Sequence, residues 1–364
     1  MKLFDVLSIE IFGASHAEEI GVNIFGVPKG TKIDKAFVQS FVDRRKSVKE
    51  AFSTARREDD HVMFESGING DTSDGGVIRA VIKNTNVRRG DYSNIKHIPR
   101  PSHADYPAKV KYGLNYDLSG GGMFSGRMTA PLCIAGAIAK AELERKGIYV
   151  HAYVSEIGGV RLGSYREREV GKEDAENAVY NPLFALEKEN ADKAYSLIEK
   201  LKSEGDSVGG AIECLVFGLP VGLGGALFCG MEGKISASVF AVPAVKAVEF
   251  GAGVSFSSLR GSEANDEYYF DGDKVKTYTN NCGGIAGGMT TGMPLKLRVS
   301  VKPTPSIAKE QRSVDLVKKE NVTLKICGRH DSCIVPRAVA PVEAAVALAI
   351  YDEALKEIND INEN

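Results

Sequence analysis

The chain has 364 residues, with 46 Lys and Arg against 48 Asp and Glu, a formal net charge of −2, 43% hydrophobic and 26% charged residues. This is the balance of an ordinary globular protein with enough apolar sequence for a large core. A net charge so close to zero gives no long-range field to draw in nucleic acid or an acidic membrane surface, so an anionic ligand has to be held by a local basic cluster.

At the N-terminus "MKLFDVLSIEIFG" interrupts its apolar run with Asp5 and Glu10, so no signal peptide is expected there. The next segment, "GASHAEEIGVNIFGVPKG" (residues 13–30), contains a short apolar run closed by Gly and Pro, the pattern of a strand followed by a turn. "IDKAFVQSFVDRRK" then predicts a helix, with Asp34 as N-cap and Phe37, Val38, Phe41 and Val42 at helical spacing. Arg44 and Arg45 end it, and Arg45, four residues beyond Phe41, falls beside the apolar face. Arg56 and Arg57 follow in "STARREDD". Cations favoured at a helix C-terminus and a solvated charge run account for these arginines as well as ligand binding does.

"GGVIRAVIKN" alternates as a half-buried strand does. After "RPSHAD" comes a glycine-rich stretch, "LSGGGMFSGR" (residues 118–127), and a second one lies at "NNCGGIAGGMTTG" (residues 280–292). Such glycines let a backbone approach a flat or phosphorylated ligand, and they serve tight sheet turns equally well. The helical stretch 131–146 is apolar almost all round, as is the one at 337–357, which implies burial on more than one side and suits helices between sheets. They carry Lys140 and Glu343 and are too short to span a bilayer, so a cytoplasmic protein without a membrane partner is expected. A more exposed helix, 192–205, ends in a glycine, and disorder is expected only at the polar end "EINDINEN".

The second half of the chain echoes the first. "GDSVGGAIECLVFGLPVG" (residues 205–222) aligns with residues 13–30 without a gap, at an offset of 205 − 13 = 192 residues, and puts Val208 where the first copy has His16. Residues 72–85 likewise match 290–304, and "RPSHAD" and "GRHD" each place a basic residue by a histidine and an aspartate ahead of a strong helix. Two long copies predict one body made of two similar halves, about 8–147 and 200–357.

There is no Walker phosphate loop, no strand followed by G-x-G-x-x-G and no nucleophile elbow. The six cysteines are scattered in apolar or glycine-rich contexts and are expected to be reduced packing thiols; Cys327 and Cys333 bracket His330 without zinc-site spacing, so no metal site is expected. A lone histidine is usually structural, but His16 and His103 are each flanked by small residues, and with "GRHD" they follow corresponding elements of the repeat.

Taken together the motifs resemble one family, chorismate synthase. "GASHAEEIG", "RPSHADY", "GGGMFSGRMT" and "GRHDSCIVPRA" are similar to its successive signatures, and "GDSVGG", "FAVPAVKAVEFGAG", "LRGSEANDEY", "NNCGGIAGGMTTGMP" and "VKPTPSI" match between them in order, from about residue 2 to residue 352. The resemblance implies an α+β fold layering helices between antiparallel sheets. It implies a homotetrameric shikimate-pathway lyase that converts 5-enolpyruvylshikimate-3-phosphate to chorismate and phosphate by an anti-1,4-elimination, with reduced FMN and no net redox change. Carried over by position, His16 would lie by the flavin, His103 would donate a proton toward the departing phosphate, and Asp331 would assist proton removal. Arg45, Arg100, Arg127 and Arg329 would hold the substrate's anions. Ser125, Ala244, Gly287, Lys302, Pro303, Thr304, Pro305, Ser306 and Arg329 fall on flavin-contacting positions. Relatives usually have Arg where this chain has Ser119, Met123 and Ala51, Glu at Met128 and Gly at Ser102, and Ala14 and Ala17 are also unusual.

Overall fold

The computed structural model describes residues 5–46, 59–84, 97–326 and 330–363, without the side chains of Ser119 and 358–363. Ala51, Arg56, Arg57, Cys327 and Arg329 lie outside the described residues.

Two antiparallel sheets enclose a layer of helices. In chain order the labelled elements are β1 (Ser8–Gly13), β2 (Glu19–Phe25), α1 (Lys35–Asp43), β3 (Met63–Ser66) and β4 (Ile78–Lys83). Then come α2 (Thr129–Arg145), β5 (Tyr149–Ile157), β6 (Val160–Arg161), β7 (Gly210–Phe217), α3 (Met231–Phe240), β8 (Val245–Phe250), β9 (Leu295–Val301) and α4 (Val335–Glu363). The first sheet has the order β1-β2-β4-β3 and the second β8-β9-β7-β5-β6. Read from the other edge, β5-β7-β9-β8 repeats β1-β2-β4-β3. The corresponding turns share a backbone as well: Gly13, Gly26 and Gly30 have φ of 93°, 83° and 85°, and Gly205, Gly218 and Gly222 have 70°, 82° and 96°. Only glycine takes these left-handed values freely, which is why both copies keep it.

The helices form as their patterns require. The Asp34 carboxylate accepts from the Phe37 amide and caps α1, whose Val38, Phe41 and Val42 are buried. β9 buries every second residue, Leu295, Leu297, Val299 and Val301, against the helix layer. α2 and α4 are buried on nearly all sides because each packs on the other and on a sheet. Each fully buried Ile, Leu or Val contributes roughly 1.5–3 kcal/mol. The two helices approach closely at Gly136, where a Cβ would stand 2.2 Å from Ala344 Cβ.

Three expectations need correction. α4 continues through the polar end to Glu363, where no apolar period remains to mark a helix. Cys133, Cys214 and Cys333 are buried and free, but Cys229 is exposed and is no packing thiol. α2 also begins two residues earlier than its apolar run, at Thr129. No helix among the described residues is long and apolar enough to cross a membrane.

Candidate active site

The three glycines Gly120, Gly121 and Gly122 all take positive φ (62°, 92° and 54°) in the turn leading to α2. That turn is the floor on which two predicted histidines meet. A Cβ on Gly120 would lie 2.5 Å from His16 Nε2, and one on Gly121 would lie 3.5 Å from His103 Nε2 and 3.3 Å from Ser125 Cβ. Gly120 is therefore required by the close approach of the His16 ring as well as by its backbone, while Gly121 is required by its backbone and leaves the His103 ring at ordinary contact distance. Ser15 N–H donates to Gly122 O (3.2 Å), tying the His16 loop to the turn. The second copy does the same with Val208 N–H to Ser332 O (2.8 Å), next to Asp331. Both repeated loops thus dock on the segment preceding a central helix, and only the first brings an imidazole.

His103 is held by its own sequence neighbours. Its Nδ1 lies 2.7 Å from Asp105 Oδ1, which assigns the proton to Nδ1 and turns Nε2 toward the Gly121 turn. Arg100 grips the same carboxylate through Nε (2.7 Å), Nη2 (2.8 Å) and its backbone N–H (3.0 Å), and reaches Ser306 Oγ with Nη1 (3.3 Å). Burial opposes charge on Asp105, but the hydrogen bonds from Arg100 and His103 outweigh it and hold the carboxyl well below the usual range. His330 is kept neutral, first by burial and then by the nearby Arg100 and His103.

A second group of cations lies at the N-termini of α2 and α4. Arg45 donates from Nε to Thr129 Oγ1 (3.2 Å) at the start of α2, and its backbone carbonyl accepts from Arg337 Nε (3.0 Å) near the start of α4. Its Nη1 meets Asp60 Oδ2 at 2.8 Å. Arg127 Nη1 donates to the other Asp60 oxygen, while its Nε and Nη2 both donate to Asn84 Oδ1 (3.1 Å each). Asn84 Nδ2 donates in turn to Ala17 O (2.7 Å), so the His16 loop and the arginines belong to one network. Arg337 Nη1 donates to Asp331 Oδ2 (2.6 Å). Burial pulls the Arg45 guanidinium down to about 10, with Asp60 acting the other way and Arg337 and Arg127 adding to the fall. Among the described residues, counting Arg45, Arg127 and Arg337 against Asp60 and Asp331 leaves 3 − 2 = +1. The N-terminal ends of two long helices add positive potential, so the place is suited to an anion.

The segment from Lys302 to Ser306 lies against this site. Lys302 Nζ donates to Ser102 O and its N–H to Ala244 O (3.0 Å), and Thr304 O accepts from Ser207 Oγ (2.7 Å). Ala244 and Ser102 hold left-handed φ of 72° and 58°. Pro303 and Pro305 carry no N–H and leave the segment's polar contacts to Lys302, Thr304 and Ser306.

The chain carries the signature of one family along its length. A family model described as chorismate synthase matches residues 7–355. The chain belongs to the chorismate synthase family. A chorismate synthase of Dehalococcoides mccartyi is 44% identical over 355 residues, 98% of this chain and 96% of that protein. One of Thermococcus kodakarensis is 43% identical over 351 residues, 96% of each. A crystal structure described as chorismate synthase superposes with a TM-score of 0.78 at 23% identity, covering 97% of this chain and 93% of that one, and so shares its fold.

Of the residues singled out from the sequence, His16, His103, Ser125, Arg100 and Ser306 come together around the glycine turn, and Arg45, Arg127 and Asp331 join through one hydrogen-bonded network. Gly287 and Ala244 border opposite ends of the 10-residue helix α3: Gly288, next to Gly287, accepts from Met231 N–H at its start, and Ala244 follows its other end. Asp60, Asn84 and Arg337 were missed, and no local pattern marks them. Asp105 had a signal, standing two residues after His103 beside an arginine. Met128 is buried in the core, and Met123 is half exposed with its Sδ 3.2 Å from Tyr116 Oη.

Proposed function

We propose that this chain is a chorismate synthase, a carbon–oxygen lyase that eliminates phosphate from 5-enolpyruvylshikimate-3-phosphate to give chorismate, using reduced FMN. Membership of the family over residues 7–355 supports the reaction. The observation that carries the site is the meeting of His16 and His103 on one glycine turn beside an array of guanidiniums.

The elimination removes a proton from carbon and expels a phosphate, so it needs a group to neutralise the leaving oxygen, a group to take the proton, and cations for the substrate's anions. His103 is placed to donate from Nε2. Asp105 accepts from Nδ1–H, which fixes the ring and stabilises the imidazolium that donates. Arg45, Arg100, Arg127 and Arg329 bind the carboxylates and phosphate, where forked donors match anion geometry. Asp331, held by Arg337, assists the proton's removal, and His16 holds a proton beside the flavin.

Two observations suit the flavin. Thr304 Oγ1 is buried and has no hydrogen-bond partner among the described residues, so a ligand atom would satisfy it. Lys302 is pulled down by burial and by the nearby Lys246, a repulsion that a phosphate group would relieve. Ser125, Ala244, Gly287 and residues 302–306 would hold the group, with Arg329 as a further proposed contact. The chemistry that reduced FMN supplies when bound is an electron lent transiently to the substrate and regained, without net oxidation. A cytoplasmic homotetramer completes the reading. Leu227 and Phe228, 91% and 99% exposed, support an interface, and light scattering measures the assembly. NADPH oxidation in the absence of oxygen tests for a flavin-reducing activity of its own.

The decisive assay incubates the protein anaerobically with chemically reduced FMN and the enolpyruvyl substrate, following chorismate absorbance and phosphate release. Absence of turnover at saturating ligand refutes the function. His103→Ala should lower kcat by about 10²–10⁴-fold with much less change in FMN affinity, and an unchanged rate removes the assignment.

A further inference from the structure

One charged residue at the centre of the site has no part in the scheme above. Asp60 is 3% exposed, and its backbone has φ of 45°, a left-handed value that Asp adopts more readily than most residues. That conformation is held from α1: Gln39 Nε2 donates to Asp60 O (3.1 Å) and Gln39 Oε1 accepts from Val62 N–H (2.9 Å). The side chain is thereby aimed between two arginines from separate elements. Oδ2 accepts from Arg45 Nη1 at 2.8 Å, and Oδ1 accepts from Arg127 Nη1.

Each guanidinium has a second anchor, Thr129 for Arg45 and Asn84 for Arg127. A planar fork held at two points has its plane fixed. The second anchors sit on different segments, so the separation of the two forks is set by the one carboxylate that both share. A pair of guanidiniums presented to an anion binds it well only when spacing and planes match. We propose that Asp60 is a positioning residue of the anion site, which sets the spacing and orientation of Arg45 and Arg127 toward the substrate's carboxylate or phosphate. The inference rests on reading those two arginines as substrate-binding.

The competing role is neutralisation of buried charge alone, since among the described residues Asp60 is one of two carboxylates paired with the three arginines, and its loss changes their count from 3 − 2 = +1 to 3 − 1 = +2. Asp60→Glu separates the two. It keeps the charge and lengthens the side chain by one methylene, so a neutralising role predicts normal kinetics, and a positioning role predicts misplaced arginines. With holoenzyme under anaerobic conditions, Asp60→Glu should raise KM for 5-enolpyruvylshikimate-3-phosphate and lower kcat/KM at least tenfold, with melting temperature and FMN affinity close to wild type. Asp60→Asn should also raise KM, because its amide N–H₂ confronts one of the two guanidiniums. A kcat/KM for Asp60→Glu within twofold of wild type overturns the inference, whatever Asp60→Asn does. Arg45→Ala is the control for the parent reading. If it raises KM and Asp60→Glu does not, only the role of Asp60 fails; if neither raises KM, the arginine reading fails with it.

Discussion

Replacing Gly136 by Ala sets two physical effects against each other in a way that one measurement resolves. Gly136 is in the middle of α2, and in an exposed helix interior Gly→Ala stabilises by roughly 0.5–1 kcal/mol. Here a Cβ would stand 2.2 Å from Ala344 Cβ, 2.5 Å from Ala344 Cα and 3.1 Å from its carbonyl carbon. Carbon atoms pack at about 3.5–4.0 Å, so the two central helices must part by more than an ångström, and the blocking atoms are backbone and Cβ with no rotamer to change. Parting them loosens the small-residue seam and disturbs the adjoining core. Overpacking typically costs 1–3 kcal/mol, and the lost seam contacts place this case at the upper end, so a net destabilisation of about 2 kcal/mol remains after the propensity gain. Urea unfolding at constant m-value reads it as a lowered midpoint. Gly136→Val should be worse, and Ala344→Gly should recover part of the loss in a double-mutant cycle. A Gly136→Ala protein as stable as wild type, or more so, refutes the close-approach argument.

Three further outcomes are expected. The Glu343 carboxylate, 1% exposed, accepts from Arg44 Nη1 and Nη2 (3.0 and 2.9 Å) and from Ala152 N–H (3.0 Å), and lies 3.2 Å from Lys140 Nζ. Burial alone would raise its pKa, but Arg44 and Lys140 lower it from 4.5 to about 2, and burial, then Lys140, lowers His151 from 6.5 to about 4. Both folded-state values are depressed, so both contributions are complete at neutral pH. The His151 contribution disappears as pH falls from 6.5 to 4 and that of Glu343 from 4.5 to 2, each up to about 3 kcal/mol. Unfolding midpoints that stay flat from pH 7 to pH 4 contradict this, and Glu343→Gln should cost about 3–5 kcal/mol at pH 7 by leaving Arg44 and Lys140 buried without a counter-charge. Ser102, with φ of 58°, occupies a left-handed backbone that suits glycine. Ser102→Gly should be neutral or stabilising by about 0.5 kcal/mol, and Ser102→Val should cost more than about 2 kcal/mol; equal melting temperatures for the two variants refute the strain.

Much of the scaffold is legible in the sequence because it is encoded by short-range pattern. Asp34 three residues before Phe37, the alternation of 295–301 and the all-round apolar runs of α2 and α4 each predict their element from neighbours alone. The repeated glycines of 13–30 and 205–222 reappear as the same left-handed turns. His16 and His103 could be singled out because one is missing from the second copy and the other sits among small residues. Where pattern fails, the expectation fails with it: α4 runs on through a polar end, and Cys229 is exposed.

Residue type and local spacing are enough to give the family, the alternation of strands and helices, the echo between halves and the two histidines as candidates. That those histidines share one glycine turn is visible only in the folded chain. The tertiary structure alone decided that Asp60 lies between Arg45 and Arg127, and that Arg337 links Arg45 to Asp331. Those partners are 15, 67 and 292 residues apart for the pairs Asp60–Arg45, Asp60–Arg127 and Arg337–Arg45. Buried charges choose partners by distance in space, because the strength of an ion pair depends on separation and local dielectric. Spacing along the chain carries no record of either.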